Sequence, residues 1–285
     1  MKNRLFAIGA MILMMTSCTQ DELISSDNGK EPATAGSCLT LVGLSSPQTR
    51  VSIGDKTGDV YPVLWSEGDA LGVFSRTAGT DINNVQSLLS DESIGQNSGV
   101  FTSDDVKMAE EGATELLIYY PYRASTELAE NGNKITSTLS VEQEQSRPGD
   151  SRHIGKYGFA FAKATVSSPD MLAKFTLNHA MAYVKFSISS QELSTYKLKS
   201  VSLYDKETTP LSGVFTADLD TDELTYGTDV KPYATVSLTT PELLASAQDI
   251  YLTTYPADLS GKEVYIVITL ENDQQTVTIP IRSEE

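Results

Sequence analysis

Val264-Tyr265-Ile266-Val267-Ile268-Thr269-Leu270, then Glu271-Asn272-Asp273-Gln274-Gln275, then Thr276-Val277-Thr278-Ile279-Pro280-Ile281, is the stretch that decides the fold class. Val264, Ile266, Ile268 and Leu270 recur at every second position. Five polar residues then turn the chain, and Val277, Ile279 and Ile281 resume the alternation. Side chains of an extended strand point alternately to opposite faces, so this spacing predicts a β-hairpin with one buried side.

The same grammar runs through most of the chain. Short runs rich in Val, Ile, Thr, Tyr and Phe are separated by Gly, Pro, Asn and Asp clusters, which predicts an all-β protein. Strands are expected at Cys38 to Leu44, Tyr61 to Leu64, Leu71 to Ser75, Thr114 to Tyr119, Lys134 to Leu139, Tyr157 to Ala164, Met181 to Ser187, Lys197 to Asp205, Ser212 to Ala217, Ala234 to Leu238 and Asp249 to Thr254, ahead of the closing hairpin. Two short helices are expected, around Asn83 to Ser90 and Pro241 to Ala247. Ala180, Ala182, Val184, Phe186 and Ile188 share one face, whereas Phe175 and Leu177 fall in the opposite phase. That one-residue slip predicts a bulge or a strand start near Asn178-His179. Ser167-Ser168-Pro169-Asp170 combines turn formers after a finished strand and is the expected junction between two sandwiches.

The amino terminus reads differently. Lys2 and Arg4 precede the apolar run Leu5 to Met15, and Met15-Thr16-Ser17 leads into Cys18. The run is about a dozen residues, short of the ~20 that cross a bilayer as a helix, so it predicts a lipoprotein signal peptide with Cys18 as the lipidated residue. Thr19-Gln20-Asp21-Glu22 resembles the surface-export signal of Bacteroidetes lipoproteins, which implies a place on the outer face of the outer membrane. Residues 18–37 lack apolar periodicity and are rich in turn formers, as a tether would be. The expected organisation is thus a signal peptide at 1–17, a tether at 18–37, and β-sandwiches at 38–168 and 169–285.

The formal net charge of −17 repels nucleic acid and anionic lipid and leaves no nucleic-acid partner to expect. With Cys18 acylated, Cys38 is the one cysteine remaining, so stability has to come from packed cores rather than disulfides. Catalytic patterns are missing. There is no GxSxG, Walker A or GxGxxG turn, and His153 and His179 have no paired cysteine or HExxH spacing. Neither an enzyme nor a cofactor is expected. One acidic cluster has partial calcium-loop spacing: Asp218, Asp220 and Asp222 alternate, with Asp229 at the twelfth position. Glu223 stands where such a loop needs glycine, and a hairpin turn accounts for the same residues without a metal.

Thr49-Arg50-Val51-Ser52-Ile53-Gly54-Asp55 is followed by Tyr61-Pro62-Val63-Leu64-Trp65-Ser66-Glu67-Gly68-Asp69. Together with the lipoprotein start, the stretch Leu177 to Phe186 and the segment Ile250 to Pro256, they resemble the fimbrillin family, the type V pilus subunits of Bacteroidales. The resemblance implies two transthyretin-like β-sandwich domains and export as a lipoprotein. It further implies proteolytic removal of the first strand after an arginine, and assembly of the fimbrium with other pilus subunits by strand addition. Arg50 matches that arginine, placing cleavage between Arg50 and Val51. Independently, Leu39, Leu41 and their neighbours would bury about three apolar side chains, so their removal would leave an unpaired strand edge. Within the Trp-Ser-Glu-Gly-Asp block, Trp65 is expected to pack in the first sandwich and Ser66 to Asp69 to form a turn.

Two functions remain open at this level. One is a structural and adhesive fimbrial subunit with a host or bacterial surface ligand. The other is a non-polymerising surface lipoprotein, either a pilus anchor or terminal unit or a glycan-capturing protein of a nutrient-uptake system. The chain departs from the family pattern after Pro280, where Ile281 to Glu285 lack its Gly-x-x-Tyr closing strand.

Overall fold

The structure, a computed structural model, describes residues 37–44, 52–53, 63–110, 112–129, 132–167 and 171–282. Its strands in chain order are β1 (Ser37–Leu44), β2 (Ser52–Ile53), β3 (Val63–Leu64), β4 (Ala70–Ser75), β5 (Val85–Leu89), β6 (Ser98–Val106), β7 (Ala113–Tyr120), β8 (Lys134–Leu139), β9 (Glu142–Gln145), β10 (Ala160–Ser167), β11 (Leu172–Thr176) and β12 (Asn178–His179). They continue as β13 (Ala182–Ile188), β14 (Lys197–Asp205), β15 (Ser212–Asp218), β16 (Glu223–Lys231), β17 (Tyr233–Leu238), β18 (Gln248–Thr254), β19 (Val264–Glu271) and β20 (Thr276–Arg282). A single helical turn, α1 (His153–Tyr157), precedes β10. The fold class is all-β, as the alternation requires.

The largest sheet has eight strands in the order β11-β1-β6-β5-β4-β7-β10-β12. It carries one core on its inner face, made by Leu39, Leu41, Leu71, Phe101, Ile118 and Phe175 among others, with Trp65 laid over them. Alternation gives the other face of β4, β7 and β10 to a second core: Phe74, Leu117 and Phe161 meet Phe215 and Ala217 of the three-stranded sheet β16-β15-β8. A third core lies between the five-stranded sheet β20-β19-β14-β17-β9 and the pair β13-β18, filled by Val201, Val236 and Ile268 on one side and Phe186, Ile250 and Leu252 on the other.

The closing hairpin has the expected register, with Leu270 opposite Val277, Ile268 opposite Ile279 and Ile266 opposite Ile281. Its turn is held by the Asn272 side chain, whose Oδ1 accepts from the Gln274 and Gln275 N–H groups at 3.0 and 2.9 Å. The slip near Asn178-His179 marks the short strand β12, and across it the chain changes cores. Phe175 and Leu177 enter the first core, and Ala180 and Met181 the second.

Both expected helices are corrected. Asn83 to Ser90 contains strand β5, because β4 and β6 on either side supply hydrogen-bonding edges and the inward Ser87 hydroxyl meets that of Ser103 at 2.5 Å. Tertiary pairing overrides local propensity there. Pro241 to Ala247 holds no helix. Leu243 makes an isolated bridge with Lys197, and Gln248 Nε2 donates to Leu243 O and Ser246 O, both at 2.9 Å.

The expected junction at 168 and 169 falls within 168–170, outside the described residues. Strand pairing runs across that point in both directions. β11 and β12, which follow it, pair with β1 and β10. β8 and β9, which precede it, join β15 and β17. Arg76 reinforces this interlock, donating to Asp220 at 2.9 Å and to Glu115 at 3.0 Å.

A candidate assembly groove around the first strand

β1 is an interior strand. It lies antiparallel to β6, with Leu41 opposite Phe101 and Gly43 opposite Gly99, and parallel to β11, with Leu41 opposite Ala173 and Gly43 opposite Phe175. The Thr40 N–H donates to Met171 O at 2.9 Å, fixing the start of the parallel ladder. Leu39 and Leu41 are wholly buried, while Cys38, Thr40 and Val42 on the other face are partly exposed. The sequence Leu-Thr-Leu-Val-Gly thus gives the core two large side chains and then none.

Neighbouring side chains match that order of sizes. Small Ala173 lies beside Leu41, whereas large Phe175 lies beside Gly43. A Cβ on Gly43 would stand 2.8 Å from Phe175 Cζ, closer than real Cβ contacts come. The same row continues into β6, where a Cβ on Gly99 would stand 2.6 Å from Phe101 Cε2 and 2.8 Å from Trp65 Nε1. Two glycines side by side make a shallow trough, and aromatic rings fill it.

Trp65 roofs this region as the sequence leads one to expect. Its ring meets Phe101 edge-on at 4.9 Å and Tyr120 at 5.5 Å between centroids. The Ser66 to Asp69 turn follows, closed by the Asp69 N–H donating to Ser66 O at 3.1 Å, with Gly68 at φ +83°, where a Cβ would be strained. Asp69 then reaches back: Oδ2 accepts from the Ser66 N–H at 2.7 Å and Oδ1 from the Tyr120 O–H at 2.8 Å. Burial pushes the Asp69 carboxyl up to about 6, against the opposing pull of those two donors.

Cys18, the expected lipidation residue, and Arg50 and Val51, the expected processing pair, lie outside the described residues. Arg50 and Val51 belong to the connection between β1 and β2, and among the described residues β2 pairs with β3, in a separate two-stranded sheet. β1 is therefore the one described element on the amino-terminal side of Arg50.

The four aspartates of the calcium-like spacing are dispersed among other partners. Asp218, Asp220 and Asp222 surround the β15–β16 hairpin turn, and Asp229 sits farther along β16. Asp218 Oδ1 accepts from the Asp220 N–H at 2.9 Å, Asp220 is held by Arg76 and by Lys163 at 3.3 Å, Asp222 accepts from Asn178 Nδ2 at 3.3 Å, and Asp229 pairs with Lys231 at 2.7 Å. The backbone amide of Asp220 holds the Asp218 carboxyl below the usual carboxylate range, and Arg76 does the same to Asp220. Among the described residues, no three His, Cys, Asp or Glu side chains converge to hold a metal ion. No described helix is long and apolar enough to cross a membrane.

Alternation in the sequence set the phase of Phe175 but not its neighbour, and Gly43 and Gly99 carried no signal of their own. The inward phase of β1 could have shown that Gly43 follows Leu39 and Leu41 on the buried face. Its neighbour in β11 lies far along the chain, so that pairing was not readable.

With this geometry in hand, the comparisons with known proteins are specific. The fimbrillin-like family model matches residues 49–284, and the chain belongs to that family. β1 lies just ahead of the matched stretch. No curated protein sequence matches. Among solved structures, a candidate cell adhesion protein from Bacteroides ovatus is similar at 16% identity and a TM-score of 0.54, with 86% of each chain covered. A fimbrial protein from Bacteroides vulgatus covers 86% of this chain and 87% of its own at 12% identity and a TM-score of 0.40. The first of these likenesses speaks for a shared fold. Family membership supports a fimbrial, adhesive role in an appendage exposed at the cell surface.

Proposed function

We propose that this chain is a fimbrial subunit, exported as a lipoprotein through Cys18 and assembled by exchange of β1 for a strand of a neighbouring subunit after cleavage between Arg50 and Val51. The observation that carries the reading is the position of β1: an interior strand, paired on both edges, ahead of the connection that contains Arg50. Cutting that connection would leave β1 held by non-covalent contacts alone. Burial of Leu39 and Leu41 contributes about 3–6 kcal/mol, a large part of the ~5–15 kcal/mol of a typical domain. Loss of β1 would open the edges of both β6 and β11, and an open strand edge is a template for strand addition.

The test is limited proteolysis of the purified full chain with a trypsin-like enzyme. Cleavage should give a chain starting at Val51 and then a ladder of oligomers on native electrophoresis, and Arg50→Ala should stay monomeric. Monomers that persist after clean cleavage and loss of β1 would overturn strand exchange. They would favour an anchor unit or a glycan-capturing surface lipoprotein instead.

A further inference from the structure

We infer that the groove occupied by β1 selects its replacement strand by a size code of large, large, small at successive inward positions, and that this code, together with the backbone hydrogen bond given by Thr40, rejects β20 of a second copy of this chain. The inference rests on the strand-exchange reading above and names the class of strand that the groove accepts: one from a different subunit, carrying a glycine or a comparably small residue where Gly43 now stands.

The code is written in the residues that stay behind when β1 leaves. At the position of Leu41 the flanking inward residue of β11 is Ala173, which leaves room for a large side chain. At the position of Gly43 it is Phe175, whose ring already fills the space a Cβ would need, at 2.8 Å from Cζ and 3.2 Å from Cε2. The ring cannot move far toward β6, because Gly99, the partner of Gly43 on that side, is itself covered by Phe101 and Trp65. All three rings are buried, Phe101 and Trp65 almost completely. An incoming leucine or isoleucine would overpack a filled site, which cores tolerate poorly. The outward positions, held by Cys38, Thr40 and Val42, are partly exposed and impose no such limit.

β20 fits poorly in both registers that set its apolar residues at the Leu39 and Leu41 positions: one breaks the size code, and the other meets the code but loses a backbone hydrogen bond. In its own sandwich it offers Val277, Ile279 and Ile281, so aligning these with Leu39, Leu41 and Gly43 drives Ile281 against Phe175. Sliding by two residues puts Ser283 at the small position. That slide also sets Pro280 where the Thr40 N–H donates to Met171 O, and proline has no N–H to give.

The experiment uses the full chain, cleaved at Arg50 and freed of β1, and labelled synthetic peptides read by fluorescence anisotropy. The Ser37–Leu44 peptide should bind. The same peptide carrying Gly43→Leu, and the Thr276–Ser283 peptide, should each bind at least tenfold more weakly. Phe175→Ala in the cleaved chain should recover most of the loss for the Gly43→Leu peptide. Equal binding of the native and Gly43→Leu peptides, or no recovery with Phe175→Ala, overturns the size code and leaves strand exchange standing. Equal binding of the Thr276–Ser283 peptide overturns the exclusion of a second copy. Failure of the native peptide to bind overturns strand exchange itself and the inference with it.

Discussion

The side-chain amide of Gln143 holds both backbone groups of Thr253, with Nε2 donating to the carbonyl at 2.7 Å and Oε1 accepting from the N–H at 3.0 Å. Gln145 continues the pattern, donating to Asp249 O at 3.0 Å and accepting from the Tyr251 N–H at 2.9 Å. β13 pairs with the other edge of β18. Two glutamine side chains from β9 therefore stand in for a neighbouring strand and close the edge of β18 that β13 leaves open. Both glutamines are fully buried, which a polar side chain tolerates because its hydrogen bonds are met.

Replacing Gln143 with leucine should therefore cost far more than a surface change. Gln143→Leu leaves the N–H and C=O of Thr253 without those partners, and at ~1–3 kcal/mol for each buried unsatisfied group the loss should be about 2–6 kcal/mol. Asp229→Ala, which removes an exposed ion pair with Lys231, should fall within about 0.5 kcal/mol. Urea denaturation of the two variants checks the contrast.

Asp69 gives the fold a pH dependence of defined sign. Its carboxyl is pushed up to about 6 in the folded protein, against about 4 for an unfolded aspartate. The folded state thus favours the proton. Stability should be greatest with respect to this group below about pH 4, fall as pH rises from about 4 to 6, and level off above, by up to ~2–3 kcal/mol. Asp218, Asp220 and Asp249 are shifted the other way, so their contributions are present above about pH 4 and are lost as pH falls below it. Asp69→Asn imitates the protonated carboxyl and should flatten the slope between pH 4 and 6 in thermal melts.

Arg76 should act as a salt-sensitive clamp. Its guanidinium joins Asp220 of the β15–β16 turn to Glu115 of β7, with all three side chains about one-third exposed or more. Arg76→Ala should cost about 1 kcal/mol or less at low ionic strength, and less still in ~1 M salt. Because Asp220 is committed to Arg76 and Lys163, adding calcium to the ~1 mM range of weak extracellular sites should leave the thermal midpoint unchanged. A calcium-dependent rise in midpoint that Asp220→Asn abolishes would contradict the geometry.

Cys18→Ala should block lipid attachment and leave a precursor that retains Met1 to Ser17. Mass spectrometry of the cell-derived protein reads both points: the wild type should start at Cys18 and carry an acyl mass, and the variant should carry none. A wild-type mature start elsewhere, without acylation, would sink the lipoprotein assignment.

Much of the secondary structure was legible because a period of two is hard to produce by chance over several strands. Lys134 to Leu139 and Lys197 to Asp205 were bounded correctly from strand-forming runs between turn formers, and the Ser66 to Asp69 turn followed from its Gly and Asp. Other strands left no such trace. β9 is Glu-Gln-Glu-Gln, with no apolar residue to mark a buried face, and β5 places Ser87 inward and leaves Leu88 about half exposed. A pattern reader places both on the wrong face or in the wrong class.

By itself the sequence determined which residues alternate, and so the all-β class, the closing hairpin, and the Leu39 and Leu41 face of the first strand. Tertiary structure alone decided who sits beside whom. Periodicity reports the face on which a side chain lies but not the strand that will flank it, because strand pairing joins backbones through hydrogen bonds that every residue type offers. Hence β1 could be found from its own residues. Only the fold could place Phe175 against Gly43, and only the fold could spend two glutamine side chains as the missing neighbour of β18.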